Sequence, residues 1–363
     1  MAEESNTYDQ ADGSEWRYEE RGLYSVLDHG YLRVVRTWGS DEEIIETARM
    51  STGKGFLGWD PGPCPECGGS GSVPTNPPID ALCDCPVCGG KGKIPGDAKL
   101  LKYLHEMKHS TPFEVCGLTV EVQAPLMVFR EWHRHRVPFG YSEMSARYVQ
   151  MPNLHYVPSV RRIIDSSRKS SNRQASGGGA LQIPGTIQRS EEEAAEEIRH
   201  YIKAEHARIY RLYEELISFG VSKEIARLDT PVSRYSKMRA TGNLRGWLGF
   251  LALRMAPDAQ FEIRQFAWAL GHVIEDAFPR TWELFFKGMA PILDPKSVEP
   301  APADQRPTEE ERQMTLLAFA ELSLARPGWD FALNALACKT DNVSADGRAI
   351  TYDEFRATSR RSP

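Results

Sequence analysis

Residues 130–151 read REWHRHRVPFGYSEMSARYVQM. These twenty-two positions hold four arginines, two histidines and two carboxylates, interleaved with serine, tyrosine and tryptophan. Polar groups taken out of water need partners, and a set this dense asks for a ligand to supply them. Arg134, His135 and Arg136 offer fixed and titratable positive charge. Glu143, Ser145 and Arg147 follow at alternating positions and, if that part is extended, point the same way. The ligand such a set fits is planar, anionic and hydrogen-bonding, as a nucleotide or a reduced flavin is. A solvated basic face and a His-x-His metal pair are the competing readings, and no third metal ligand follows at a recognisable spacing. The lead-in favours a site. Leu118, Val120 and Val122 alternate as in a strand and Pro125 to Phe129 stay apolar, so the cluster emerges from a core element.

The chain of 363 residues is long enough for one large domain or two ordinary ones, and 41% hydrophobic residues supply a core. A net charge of −6 argues against a general nucleic-acid coat protein. The start, MAEESNTYDQADGSEW, is polar and acidic rather than a secretory signal, and no apolar run reaches the roughly 18 residues of a bilayer span. Seven cysteines in such a chain predict a reducing cytoplasm and metal binding over disulfides.

Residues 1–20 read as a disordered arm and 21–292 as the main domain. A strand is predicted over Tyr31–Thr37, then a helix opened by Ser40-Asp41-Glu42-Glu43 and ending near Ser51. A first insertion, 55–97, carries CPECGGSG and CPVCGGKG, giving Cys64-x2-Cys67-x17-Cys85-x2-Cys88. Two such knuckles offer four thiolates to one tetrahedral ion, which predicts a structural zinc ribbon. Cys83 is a spare, a redox or empty pair is the alternative, and a likeness to chaperone zinc knuckles carries no function by itself. A second interruption, 163–189, is rich in Ser and Gly and reads as a flexible loop. Ser190-x-x-Glu193 is a capping box opening a long helix with Ile198, Tyr201, Ile202, Ile209, Leu212, Tyr213 and Leu216 on one face, closed near Gly220. Pro257 opens a further core helix. Residues 295–363 form an extension: a Pro-rich linker, a helix over Thr308–Leu324, and a faint calcium-loop pattern from Asn342 to Asp353.

The pattern HRHR…SEMSARY resembles the signature of the flavin-dependent thymidylate synthases, in which Arg-His-Arg precedes Ser by seven residues within a pattern ending Asn-Glu-x-Ser-x-Arg-Tyr. Here eight residues separate Arg136 from Ser145, and Ser142 takes the Asn position. The likeness runs from Leu27 to Lys287 outside the two insertions. His109-Ser110-Thr111-Pro112-Phe113-Glu114 resembles the family's His-x-Thr-Pro-Phe-Glu turn, Gly220 to Arg227 its GVxxExAR, and Asn243 to Arg254 its flavin- and base-contacting helix.

The resemblance implies a mixed α/β fold, a sheet packed by long helices, and homotetramers with shared active sites. It implies one-carbon transfer from methylenetetrahydrofolate to C5 of a pyrimidine deoxynucleotide, dUMP to dTMP, with FAD and NADPH as the redox partners. His109, Thr111, Arg134, His135, Arg136, Asn243 and Arg245 would hold the flavin. Glu131, Ser145, Arg147, Arg227 and Arg254 would hold the nucleotide, with Arg254, Ser145 and Glu143 at the reacting base. No cysteine lies in the signature, and Cys116 and Cys338 read as buried or incidental.

Several positions depart from the pattern. Glu131 replaces a Gln, Phe139-Gly140 lengthen the loop, and Ser142, Gly249 and Asp258 stand for Asn, Asn and His. Carboxylates accept from the exocyclic amine of cytosine, where uracil offers a carbonyl. A dCMP or dUMP 5-hydroxymethylase is therefore the second reading. An inactive scaffold binding nucleic acid or protein through its ribbon is the third.

Overall fold

The computed structural model describes residues 16–20, 22–74, 82–168, 179–181, 183, 190–290 and 292–293. The chain opens with strands β1 (Trp16–Glu20), β2 (Leu23–Val26) and β3 (Gly30–Trp38), followed by helix α1 (Asp41–Arg49). Short strands β4 (Gly62–Pro63), β5 (Ser72–Pro74), β6 (Leu82–Asp84) and β7 (Lys93–Ile94) lie in the Cys-rich segment. Helix α2 (Ala98–Glu106), strand β8 (Gly117–Pro125), helix α3 (Leu126–Trp132) and strand β9 (Gly140–Glu143) follow. Helices α4 (Val160–Ser167), α5 (Glu191–Ser218) and α6 (Lys223–Ala226) precede strand β10 (Tyr235–Asn243). The last elements are α7 (Leu244–Arg254), α8 (Phe261–Ala277) and α9 (Pro279–Met289).

The main sheet has the order β1-β2-β3-β8-β10-β9, and every neighbouring pair is antiparallel. Strand β8 is its centre. Leu118, Val120 and Val122 point to the helix-bearing face and are fully buried, beside Leu32 of β3 and Ala240 of β10. Helix α8 covers that face against β1, β2 and β3, and α7 packs on α8. The opposite face of β8 is polar. Glu121, only 5% exposed, stands directly between Arg33 of β3 and Arg239 of β10. Arg33 Nη2 donates to its Oε1 at 2.8 Å, the Tyr31 hydroxyl to the same oxygen at 3.0 Å, and Arg239 reaches Oε2 at 3.3 Å. One carboxylate thus stitches three strands in register.

The local signals hold where they are strong. Ser40 caps α1 by accepting from the Glu43 amide, and Ser190 with Glu193 forms both halves of the capping box on α5. Gly220 takes a positive φ of 84° just past α5. Three expectations need correction. The arm over 1–20 ends in β1, which pairs with β2, and Trp16 is buried against Tyr24 and His272. The loop placed at 163–189 begins inside α4: Ser159 caps that helix, and Ile163 and Ile164 pack on Ala195 of α5. The core helix expected from Pro257 starts at Phe261 instead. The apolar face of α5 is also less buried than its spacing implies, since Tyr213 is enclosed while Tyr201 stays 59% exposed. The linker after 295, the helix at 308–324, the 342–353 loop and Cys338 lie outside the described residues.

Among the described residues, no helix is long and apolar enough to cross a membrane. The Cys-rich insertion leaves and rejoins the core through Asp97, which is fully buried. Its carboxylate pairs with Arg49 of α1 and accepts from the Leu57 amide at 2.7 Å.

Removing Glu121 leaves Arg33 half-sheltered without its counter-charge, a change that costs roughly 3 kcal/mol where a buried pair is broken. Glu121→Ala is expected to lower the denaturant midpoint by that order. Glu121→Gln, which keeps the shape and one acceptor but not the charge, should lose less, and equal loss in both would show that the charge alone, rather than packing or an acceptor, sets the cost.

Candidate active site

The signature stretch begins on a helix. Strand β8 ends at Pro125, α3 runs to Trp132, and the chain leaves it through Trp132, buried against Trp247, Phe250 and Phe266. That anchor fixes where Glu131, Arg134, His135 and Arg136 sit. The loop then turns over α7. Pro138 lies on Gly246 and Phe139 on Gly242, positions where an added Cβ would collide with those rings. The Tyr141 hydroxyl returns to the His135 carbonyl at 2.5 Å, closing the loop on itself.

Three predicted residues meet. Arg254, at the end of α7, donates from Nη1 to Glu131 Oε2 at 2.7 Å and from Nη2 to the Glu131 carbonyl at 3.1 Å. Its Nε donates to His135 Nε2 at 3.0 Å. A guanidinium N–H can only donate, so His135 accepts at Nε2 and carries its proton on Nδ1. Burial, with the Arg254 charge next, pulls His135 down to about 4, against the opposing pull of Glu131. His135 is therefore neutral at pH 7, which corrects the expectation of a titratable positive charge there. Arg134 and Arg136 flank it, exposed and without an ion pair among the described residues.

A second group forms at the sheet edge. The alternation expected through Glu143, Ser145 and Arg147 fails, because β9 stops at Glu143 and the chain turns back in hydrogen bonds to the Ser145 carbonyl. Glu143 accepts from the Ser236 hydroxyl at 2.8 Å. Ser145 Oγ accepts from the Arg147 amide at 3.3 Å, and Arg147 pairs with Glu224 of α6 at 3.2 Å. Arg227 follows as the C-terminal cap of α6. His133 at the end of α3 meets Met238 at 3.0 Å, and Met238 stands opposite Glu143 in the β10–β9 register. Both groups therefore share the helix-bearing face at the β10–β9 edge.

The third group lies apart. His109 and Thr111 are exposed in the turn after α2, and Arg245 pairs with Glu114 beside them. Asn243 caps α7 by accepting from the Gly246 amide at 2.9 Å, so its oxygen is already engaged. Arg245 and Arg254 are nine residues apart, about 13 Å along the helix and on opposite sides. One chain does not gather all the predicted flavin residues into one pocket. The open cleft lined by Val160, Glu192, Glu193, Glu196, Glu197 and His200 contains none of them.

The four ribbon cysteines form the only such metal-binding cluster among the described residues, their sulfurs all within 4.8 Å of one another. Cys64 and Cys85 are 3.8 Å apart at sulfur, as are Cys67 and Cys88. Four thiolates at about 2.3 Å from one ion would stand roughly 3.8 Å apart, so the set fits a tetrahedral zinc. The amides of Gly71 and Gly92 point at Cys67 and Cys88 at 3.2 and 3.3 Å, which stabilises thiolate charge. Cys83, exposed, stands outside the set, and Cys116 is buried under Gly39.

A helix-backed antiparallel sheet with an arginine-rich edge thus carries the candidate site. Residues 33–280 match the family model described as thymidylate synthase complementing protein, and the chain belongs to that family. It is 30% identical over 266 residues to a flavin-dependent thymidylate synthase of Thermosipho africanus, covering 73% of this chain and 94% of the relative. One from Thermus thermophilus is 30% identical over 260 residues, 72% of this chain and 77% of the relative. Among solved structures, the UMP/dUMP methylase PolB of Streptomyces cacaoi, bound with 5-Br dUMP, superposes with a TM-score of 0.52 at 25% identity, covering 75% of this chain and 98% of that one.

Losing the Arg254 charge should release His135 from its strongest cationic neighbour. In Arg254→Met, the His135 pKa read by NMR is expected to rise from about 4 toward, but not to, the ordinary 6.5, because burial remains. Since the folded value lies below the unfolded one, this histidine's contribution to stability is whole above about pH 6.5 and is lost as pH falls toward 4. An unchanged titration in the variant would show that Arg254 does not tune it.

Proposed function

We propose that the chain transfers a one-carbon unit from methylenetetrahydrofolate to C5 of dUMP, giving dTMP, with flavin and NADPH supplying the reducing equivalents. The carrying observation is the union of Glu131, His135 and Arg254 in one hydrogen-bonded set, in which Arg254 comes from 119 residues beyond His135. Arg254 is held by two acceptors from Glu131 and one from His135, so its direction is fixed before any base arrives. A fixed cation of this kind stabilises negative charge that builds on a pyrimidine ring. Neutral His135 presents Nδ1–H without adding charge, while Arg134 and Arg136 offer unpaired donors to an anionic planar ring. That donor set fits a flavin, which when bound carries hydride between the reductant and the one-carbon unit. Ser145, Arg147 and Arg227 hold the nucleotide phosphate. His109, Thr111 and Arg245, at the far end of α7, complete a flavin site in a homotetramer with shared active sites, the assembly that joins ends one chain keeps apart. Zinc on Cys64, Cys67, Cys85 and Cys88 holds the ribbon and has no open position for chemistry.

Purified protein incubated with NADPH and methylenetetrahydrofolate, with dUMP and dCMP in separate tubes, is expected to add a methyl group to dUMP, read by mass. Arg254→Met should cut that turnover about a hundredfold or more. A hydroxymethyl product, or use of dCMP, would replace this reading with the hydroxymethylase one; colourless protein without product would leave the scaffold reading. Metal analysis should find one zinc per chain, and Cys67→Ser with Cys88→Ser should lose it. Retained zinc in that double variant would sink the assignment.

A further inference from the structure

Arg234 is an arginine that the signature does not contain and the sequence gives no reason to single out. It precedes β10, it is 5% exposed, and its backbone is pinned: its amide donates to the Pro231 carbonyl at 3.1 Å, its carbonyl accepts from the Leu126 amide at 3.0 Å, and it bridges His155. Its side chain is poorly served. Nη1 reaches only the Tyr235 carbonyl, at 3.5 Å, and buried Nε has no partner among the described residues. No carboxylate there lies within ion-pair distance of it. Arg234 and Ser236 are two apart in extended chain and so share a face, and Ser236 meets Glu143 on that face.

The charges around it do not balance. Burial opposes the charge on Arg234, Glu143 favours it from beyond contact, and Arg227 repels it. Glu143 is already engaged with Ser236, and Arg147 with Glu224. His155 on the other side is itself taken down to about 4, by burial first and then by His206 and Arg234, and adds no charge. Arg234 is thus left almost wholly buried, its Nε without a partner and without an ion pair among the described residues, with Arg227 adding positive charge nearby. A buried cation in this state costs stability that an apolar side chain would not. A phosphate monoester, with close to two negative charges and three acceptor oxygens at neutral pH, resolves both deficits.

We propose that Arg234 is a phosphate-binding residue of the nucleotide site, acting with Arg227. The proposal rests on reading that end of the site as the phosphate end.

The test compares Arg234→Met and Arg234→Lys with the unaltered full-length protein. Thermal unfolding is followed with and without inorganic phosphate, and dUMP and deoxyuridine binding are measured by calorimetry. In phosphate-free buffer Arg234→Met should melt no lower than the wild type, because an unpartnered charge has been removed. It should lose the rise in melting temperature that phosphate produces and bind dUMP about ten- to a hundredfold more weakly, with deoxyuridine unaffected. Arg234→Lys should keep part of both. In turnover, KM for the nucleotide should rise while kcat holds. An Arg234→Met protein that melts lower yet binds dUMP like the wild type makes Arg234 purely structural and overturns the proposal. If phosphate binding depends on Arg234 but neither dUMP nor dCMP binds or turns over, Arg234 stands as an anion site and the proposed activity falls.

Discussion

A single buried carboxylate, Glu121, sets the frame on which everything else is placed. It sits at the centre of the central strand and takes hydrogen bonds from Arg33 on one side and Arg239 on the other. Sheet register is otherwise a matter of hydrophobic pattern, and a slip by one residue would turn Leu118, Val120 and Val122 to the wrong face. Such a slip would also carry Glu121 away from both guanidiniums. Strand β10 is locked by this contact, and β10 in turn carries Ser236 and Met238 to β9 and α3. The arginine-rich edge is positioned through that chain of contacts rather than by the loop that bears most of its residues.

The site is a set of charges restrained by other charges. Arg254 is held between Glu131 and His135, Arg245 by Glu114, Arg147 by Glu224. The Arg254 set, part-buried and bonded three ways, fixes a long side chain that would otherwise be free and lowers the entropy lost when a ligand is bound, whereas the other two pairs are exposed and restrain weakly. The replacement of an amide by Glu131 changes the character of this restraint. An amide would orient Arg254 weakly, whereas a carboxylate binds it in a charge-assisted bond and leaves the site less positive. Arg134 and Arg136 carry no such restraint, in keeping with groups kept for a partner.

Much of this is legible from residues close in sequence. The strand before Ser40, the capping box at Ser190, the zinc spacing and the signature itself are local patterns, each with a short-range physical cause. What is not legible depends on long-range pairing. Nothing in the sequence around Trp16 shows that it will find Tyr24 and His272. The polar run after Ile163 hides the rest of a helix whose Ile163 and Ile164 pack on Ala195 of α5. Glu121 and Arg234 look like ordinary strand polars, since their importance comes from being buried opposite residues a hundred positions away or beside an unmatched charge. The extended reading of Glu143 to Arg147 failed for a related reason: β9 leaves β10 after Glu143, although β10 itself runs on to Tyr235, and Tyr148 and Val149 fold back on the Ser145 carbonyl.

The lengthened loop between Arg136 and Tyr141 has left a mark elsewhere in the chain. Pro138 and Phe139 occupy the space above Gly246 and Gly242, which have room for them only because neither carries a side chain. Loop and glycines form a lock and its keyway, cut to each other across a hundred residues. Transplanting the loop alone into a relative with side chains at those two places would lift it off the helix, and Arg136 with it. Restoring side chains here while keeping the loop would do the same. The loop and the start of α7 therefore tolerate change only together, despite their distance in sequence.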